Sequence, residues 1–378
     1  MGRRDACRRK GAGTVTPAPA DGAARDILVT GASGMLGRAV VSLLVAKGHR
    51  VRTYQRRPTV GPGVSHQGSV ADRRTLASAL AGADAVVHLA AKVSFTGHWD
   101  EFVSTNMDGT RNVLAAARDA GVRDLVFVSS PSVAHLGSAI AGAVAGPPDP
   151  DRARGHYARS KAAAELLALA ADAPGFRVAA VRPHIVWGPG DTQLVERLLA
   201  RAKAGRLPLL DGGNALIDTT YVDNAAAAIV RALERMEHAH GRALVVTNGQ
   251  PRPVGDLVAG ICRAGGVEPP RRSLPGALAR AAGFVVEKAW TLAGDLGWVH
   301  DEPPMTRFLA EQLSTAHWFD QRETRRVLDW APQVGLDEGL RRLADHYGGT
   351  APGTGDGAHT PAGRGRAAHT NATHDEGR

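Results

Sequence analysis

The sequence predicts an α/β fold: a doubly wound parallel sheet with a smaller, mostly helical C-terminal lobe. Three observations carry that prediction. Short apolar runs recur without polar alternation, at Ile27–Thr30, Val51–Tyr54, Ala85–Leu89, Leu125–Ser129, Val178–Val181 and Leu244–Thr247. Stretches with helical spacing lie between the early runs, at Met35–Lys47, Arg73–Ala81, Thr105–Ala120 and Tyr157–Ala171. Three evenly spaced glycines, Gly31, Gly34 and Gly37 in VTGASGMLGRAV, join the first run to the first helix.

Strands that alternate with helices make βαβ units, and these build parallel sheets. Such a sheet is covered on both faces, so its strands are apolar throughout. Ligands sit outside the carboxyl ends of the strands, and the first strand ends at the glycine loop. A turn that sharp needs residues without a Cβ. The helix behind it offers free N–H groups and the positive end of its dipole to an anion. Gly31 is expected to make the turn, Gly34 to admit a pyrophosphate to the backbone, and Gly37 to let the helix pack closely against the sheet. The spacing is GxxGxxG and not GxGxxG, so the loop alone leaves an ordinary glycine-rich turn open.

The pattern loosens after residue 185. RPHIVWGPGD (Arg182–Asp191) and LLDGGNALIDTTYVDN (Leu209–Asn224) read as long loops, and Leu274–Pro304 as a Pro-bounded helical region. The expected division is a basic, disordered extension over 1–24, a nucleotide-binding domain over 25–185, a substrate lobe interleaved with the last strands over 186–348, and a disordered tail over 349–378. Both ends are rich in Gly, Ala and Pro and lack periodicity, so little buried surface would offset their ordering.

The net charge of +9 invites a nucleic-acid partner, but residues 1–25 carry +4 of it and 349–378 none, leaving +5 for the rest. With no basic stripe interleaved with aromatics, nucleic acid is not expected as a partner. No apolar run is long enough to span a membrane, and MGRRDACRRKGAG lacks the apolar core of a secretory signal. Cys7 and Cys262 make no disulfide framework, which fits the cytoplasm. No metal is expected, the tail histidines His359, His369 and His374 included. Val285, Val286, Trp290 and Leu292 form an apolar group that lines a lipophilic pocket or the lobe's core, or else associates weakly with a membrane surface.

Five side chains could do chemistry. Tyr157 and Lys161 stand four apart on a predicted helix, hence on one face. A phenol's pKa near 10 is high for proton exchange, and a neighbouring ammonium is expected to lower it. Tyr157 could then give a proton to a carbonyl oxygen as hydride reaches its carbon. The plainer alternative is two residues on an exposed face. Ser129 and Ser130 end a strand, where a hydroxyl could bond the same oxygen, or where two serines simply cap the turn before Pro131. Asn106 starts the predicted long helix, as a first-turn cap or as a buried amide that orders the strand ends or a relay water.

Together the glycine loop, HLAA (His88–Ala91), NMDGTRNV around Asn106, VSSPSV, YARSK and RPHIVWGPGD resemble the extended short-chain dehydrogenases/reductases, the NAD(P)-dependent epimerase/dehydratase superfamily. The resemblance covers roughly residues 26–346. PPMTRFLAEQLSTAHWFDQRETRRVLDWAPQVGLDEGLRRL is similar to the 3β-hydroxysteroid dehydrogenase-like branch, and AAVRPHIVWGPGDTQLVERLLARAKAGRLPLLDGGNALIDTTYVDNAA, with SSPSVAH before it, resembles within that branch the bacterial reductases of 2-alkyl-3-oxo acids. The resemblance implies a Rossmann-type sheet, Tyr157 as acid/base, and Lys161 as ribose ligand and tuner. Ser130 is implied as the catalytic hydroxyl, with Ser129 one position off, and Asn106 completes the set. Gly31, Ser33, Gly34, Met35, Leu36, Gly37, Arg56, Arg57, Ala90, Lys161 and Pro183 are the implied cofactor contacts.

NAD-type members end the second strand with an acid. Here Gln55 stands there, followed by Arg56 and Arg57, so NADP(H) is expected in preference to NAD(H). The third strand ends Gly68-Ser69 where an acid is common, which leaves the adenine contact open. A substrate carboxylate would need a positive partner; Lys92 and His135 are the candidates, with His184 and Trp187 as further substrate contacts. The expected activity is NADP(H)-dependent reduction of the ketone of a lipophilic 2-alkyl-3-oxo acid to the 3-hydroxy acid. The alternatives are a 3β-hydroxysteroid or sterol-carboxylate dehydrogenase, and a silent nucleotide-binding scaffold. The expected partner is a lipophilic small molecule, and a homodimer is compatible with this reading.

Overall fold

The computed structural model describes residues 23–58, 61–94, 97–135, 138–279, 281–283 and 313–348. β1 (Asp26–Thr30), β2 (Arg50–Gln55), β3 (Val64–Gln67), β4 (Ala85–His88) and β5 (Asp124–Val128) join the strands Arg177–Pro183 and Ala243–Val246 in one sheet. Its order is Ala243–Val246, Arg177–Pro183, β5, β4, β1, β2, β3, and every pairing is parallel. The order reverses between β1 and β4, the switch point where such sheets bind ligands.

All five residues of β1 are buried. Ile27 and Val29 enter a core with α1 (Met35–Ala46) and the helix Val222–Glu234. Leu28 enters the opposite core, with α2 (Arg73–Leu80) and the helices described next. A strand covered on both faces needs no polar alternation, which is why the predicted strands form close to their expected ends. β3 is an addition. Val-Ser-His-Gln is a short, mostly exposed edge strand that no apolar run announces.

The helix expected over Thr105–Ala120 starts earlier. α3 (Trp99–Phe102) leads through a π-helical turn, Val103–Asp108, into α4 (Gly109–Asp119). Asn106 therefore sits inside a continuous helical run and caps nothing. π turns of this kind often mark functional positions. α5 (Gly155–Ala170) carries Tyr157 and Lys161 as expected.

The lobe has its own core, including Trp187, Tyr221, Leu257, Ile261 and Leu340. The predicted loop over 209–224 instead holds three two-residue strands, Leu209–Leu210, Leu216–Ile217 and Thr220–Tyr221. Two residues carry no periodicity, so these strands exist only through their partners. A second sheet runs Arg252–Pro253, Leu216–Ile217, His317–Phe319, Ile140–Ala143 and ties the lobe to the segment after β5. The helix Val222–Glu234 and strand Ala243–Val246 return to the main sheet. Val285, Val286, Trp290, Leu292, residues 1–22 of the N-terminal segment and the whole tail 349–378 lie outside the described residues. Among the described residues no helix is long and apolar enough to cross a membrane, and no group of three or more His, Cys, Asp or Glu could hold a metal.

Candidate active site

The glycine loop is built for close approach. Gly31 has φ +74°, and a Cβ there would stand 2.7 Å from Ala90 N and 2.8 Å from Ala90 Cα. A Cβ on Gly37 would overlap the Gly31 carbonyl oxygen and lie 2.8 Å from Ala32 Cα. Gly37 thus seats α1 on its own loop and not on the sheet. Gly34, the residue before α1, would meet only Gly31 O, at 3.7 Å. The first turn of α1 carries no acid and no side-chain cap, so its N–H groups remain for an anion such as a pyrophosphate. Ser33 is exposed, while Met35 and Leu36 are half-buried against the lobe's core.

Beyond β2, Arg56 and Arg57 are exposed, and neither pairs with a carboxylate among the described residues. Gln55 turns inward, its Nε2 donating to Thr53 Oγ1 at 3.2 Å and Ser65 Oγ at 2.9 Å. The Tyr54 hydroxyl donates to Ser69 O at 2.9 Å and occupies the space a Gly68 side chain would need.

A relay of neutral groups links the strand ends. Ala90 N donates to Thr30 Oγ1 at 3.2 Å, and Thr30 Oγ1 lies 2.7 Å from His88 Nδ1. His88 Nε2 lies 3.1 Å from Thr110 Oγ1, which itself donates to Asn106 O at 2.6 Å. Thr110 has spent its proton, so His88 donates from Nε2 and accepts at Nδ1. Burial, helped by the Lys161 charge, holds His88 down to about 3. Asn106 then clamps the segment after β4 to α5. Its Oδ1 accepts from Lys92 N at 2.7 Å, and its Nδ2 donates to Lys92 O at 3.2 Å and Ser160 Oγ at 2.9 Å. Ser160 Oγ donates in turn to Tyr157 O at 2.9 Å.

Tyr157 is half-buried and Lys161 fully buried at one end of α5. Lys161 Nζ donates to Val128 O at 2.7 Å and lies 3.9 Å over the Phe127 ring. Burial brings Lys161 down to about 7, with Glu165 pulling it back up. Burial pushes the Tyr157 phenol up to about 12, and a hydrogen bond with the Ser130 hydroxyl acts the other way. This reverses the expected lowering of the phenol. The ammonium is engaged by Val128 and Phe127, so desolvation dominates. Ser129 donates its backbone N–H to Val181 O at 2.7 Å, while its buried hydroxyl has no hydrogen-bond partner among the described residues. Ser130, not Ser129, is the serine that reaches Tyr157.

The model of the NAD dependent epimerase/dehydratase family matches residues 27–247. The chain belongs to this family. It is 39% identical to the 2-alkyl-3-oxoalkanoate reductase of Stenotrophomonas maltophilia (strain K279a), over 84% of this chain and 98% of that protein. The protein of the same name from Shewanella oneidensis is 34% identical, over 83% of this chain and 84% of its own length. A 3-beta-hydroxysteroid dehydrogenase from Mycolicibacterium neoaurum is a more distant relative. The crystal structure of gox2253 shares the fold with a TM-score of 0.67 and 27% identity, over 85% of this chain and 98% of that one. The chain is thus an NAD(P)-dependent oxidoreductase with a Rossmann-type sheet.

In this epimerase/dehydratase member the expected substrate contacts fare unevenly. Trp187 is fully buried in the lobe's core, its Nε1 donating to Thr219 Oγ1 at 2.8 Å and its ring edge-on to Tyr221 at 5.4 Å. It shapes the lobe from inside and does not face a ligand. Lys92 is half-buried and already paired with Glu101, at 2.9 Å. His135 cannot act as a cation near neutral pH, because burial, with Arg154 adding to it, holds it down to about 4. His184 is also held to about 4 by burial, against its bond to Asp218 O at 2.6 Å.

These two histidines meet a third that sequence reasoning missed. His317 lies 4.8 Å from His135 and 6.3 Å from His184, centroid to centroid, and Phe319 packs on His184 at 5.1 Å. The cluster joins the second sheet to the segment after Ser130. Pro183 ends its strand opposite Val246. Two residues on, the β-branched Ile185 holds φ +41°, a strained left-handed conformation. Thr220 N bonds its carbonyl at 3.2 Å.

Proposed function

We propose that this protein reduces the ketone of a lipophilic 2-alkyl-3-oxo acid to the 3-hydroxy acid, using NADP(H), with Tyr157 as proton donor. The observation that carries the reading is the identity with 2-alkyl-3-oxoalkanoate reductase across 98% of that protein, joined to Ser130, Tyr157 and Lys161 in hydrogen-bonding positions at the carboxyl end of β5. The reading is supported by the crowded loop Gly31–Gly37, by Arg56 and Arg57, which pair with no carboxylate among the described residues, and by Ala90 after β4 and Pro183 at the end of its strand, with β5 between those two strands. A nicotinamide cofactor held there would supply the hydride for the ketone carbon.

The chain's own residues then handle the proton. A phenol pushed up to about 12 stays protonated at neutral pH, so it is loaded for donation to an oxygen that is becoming an alkoxide. Ser130 can bond the same oxygen. Lys161, buried below α5's first turn, would bond the ribose and assist the phenolate left behind. His88, Thr110 and Asn106 fix the strand ends around this group.

The test is cofactor turnover with 2-alkyl-3-hydroxy acids of increasing length, run in the oxidative direction because free 3-oxo acids decarboxylate. Each buried methylene is worth about 0.8 kcal/mol, about fourfold in efficiency. Efficiency should climb with chain length and then level off. A flat response, or a clear preference for a 3β-hydroxysteroid, would overturn the substrate. Tyr157→Phe should fold normally and lose about 100- to 10,000-fold in turnover.

A further inference from the structure

Ser132 touches Ser130 twice. Its backbone N–H donates to Ser130 Oγ at 3.3 Å, and its hydroxyl donates to the same oxygen at 3.1 Å. A serine hydroxyl has two lone pairs and one proton. Both lone pairs of Ser130 are therefore filled from Ser132, and its own proton must point elsewhere. Tyr157 is a hydrogen-bond partner of this hydroxyl, so the remaining proton is the one available to it.

We propose that Ser132 is a positioning residue that makes Ser130 a one-way donor to the Tyr157 oxygen and to the ketone oxygen beside it. Half of the device is backbone. Ser130, at φ −151° and ψ 148°, caps the turn Pro131–Ala134, and Pro131 has no N–H to compete for its oxygen. The Ser132 hydroxyl is the other half.

The polarity matters to the reaction. During reduction the Tyr157 O–H bond breaks, the proton joins the ketone oxygen, and a phenolate remains. A Ser130 that donates stabilises that phenolate. A Ser130 with a free lone pair can turn to accept the Tyr157 proton, which holds the proton back. Chains of aligned donors strengthen one another in a low-dielectric site. The inference rests on the reading of Tyr157 as proton donor.

The experiment compares Ser132→Ala, Ser132→Thr, Ser130→Ala and the Ser130→Ala/Ser132→Ala double variant in steady-state turnover across pH. Ser132→Ala should lower kcat roughly tenfold with KM for cofactor and substrate nearly unchanged, the loss of one neutral hydrogen bond. Its oxidative pH profile should move to higher pH, because the phenolate is harder to form. Ser132→Thr should restore both, and Ser132→Ala should add nothing in the Ser130→Ala background. An unchanged kcat and pH profile in Ser132→Ala would overturn the proposal, as would a loss that threonine does not restore or that persists without Ser130. Tyr157→Phe separates the two readings. If that variant stays active the proton-donor reading itself fails. If it is inactive while Ser132→Ala behaves as wild type, only the role of Ser132 fails.

Discussion

Replacing Lys161 with methionine is expected to stabilise the ligand-free protein while removing its activity. The side chain is buried, and its pKa falls from 10.5 to about 7. At about 1.4 kcal/mol per pH unit, charging this lysine in the fold costs about 5 kcal/mol relative to the unfolded chain. The folded chain binds fewer protons than the unfolded one between pH 7 and 10.5. Stability therefore rises with pH across that window, and the full penalty applies below about pH 7. Methionine keeps the length of the stem and removes the charge. Against this, the bond from Nζ to Val128 O at 2.7 Å and the contact with Phe127 at 3.9 Å are lost. An orphaned buried carbonyl costs about 1–3 kcal/mol and a cation–π contact about 1. The net gain at pH 6 is about 1–3 kcal/mol. Urea unfolding followed by tryptophan fluorescence, without cofactor, reads it directly. The advantage of Lys161→Met should shrink by about 3 kcal/mol between pH 6 and pH 9. A variant that is less stable at pH 6, or an advantage that does not change with pH, would refute the reasoning.

Three further outcomes are expected. Arg56→Ala with Arg57→Ala should raise KM for NADPH about 10- to 100-fold, the worth of a charge-assisted phosphate contact, and leave KM for NADH nearly unchanged; equal efficiency of wild type with both cofactors would contradict this. Gly34→Ala should leave the melting temperature almost unchanged, since its Cβ meets nothing nearer than 3.7 Å, yet weaken cofactor binding at least about tenfold through contact with the ligand itself; calorimetric titration decides it. Glu165→Ala should lower stability by about 3–5 kcal/mol, because it strands the buried Arg182 guanidinium with only Gly146 O at 2.7 Å. A loss under about 1 kcal/mol in urea unfolding would show that the pair does not hold the fold.

What the sequence made legible is what local pattern encodes. β1 is apolar on both faces because it is buried on both faces, so its run was readable. Gly31 and Gly37 were readable because backbone crowding admits no other residue. Tyr157 and Lys161 were readable as one helical face. The misses need neighbours to appear. The strand Leu216–Ile217 is defined by Arg252 and His317. For Asn106 the cap and the buried amide both stayed open, and the structure has the buried amide; the π turn that embeds it in a longer helix has no periodicity of its own. Trp187 was expected as a substrate contact, yet its indole points into the lobe toward Thr219. The direction of the Tyr157 shift was wrong because spacing shows which groups share a face and says nothing of how much water each has lost. Ser132 had a signal in retrospect: a serine two residues after a strand-end serine, across a proline, is placed to cap it.

The same loss of water gives the region a consistent electrical character. His88 at about 3, His135 and His184 at about 4, Tyr157 at about 12 and Lys161 at about 7 are near-neutral at pH 7 or close to it. The buried Arg182 and Glu165 beside them pair with each other, and the Asp218 carboxyl, pushed up by burial, is held by the Thr247 hydroxyl and the Gln250 N–H. Each unpaired charge would cost several kcal/mol once water is excluded. A neutral interior therefore suits a substrate that is apolar around the reacting ketone and that closes the site against solvent. On the proposed reading, the carboxylate of the 3-oxo acid meets no unpaired fixed cation among the described groups of this interior. It would itself draw the Lys161 proton equilibrium back toward the charged form, as an anion nearby must. The charge that assists phenolate formation would then be strongest only when substrate is present, which is when it lowers a barrier and not merely the stability of the fold.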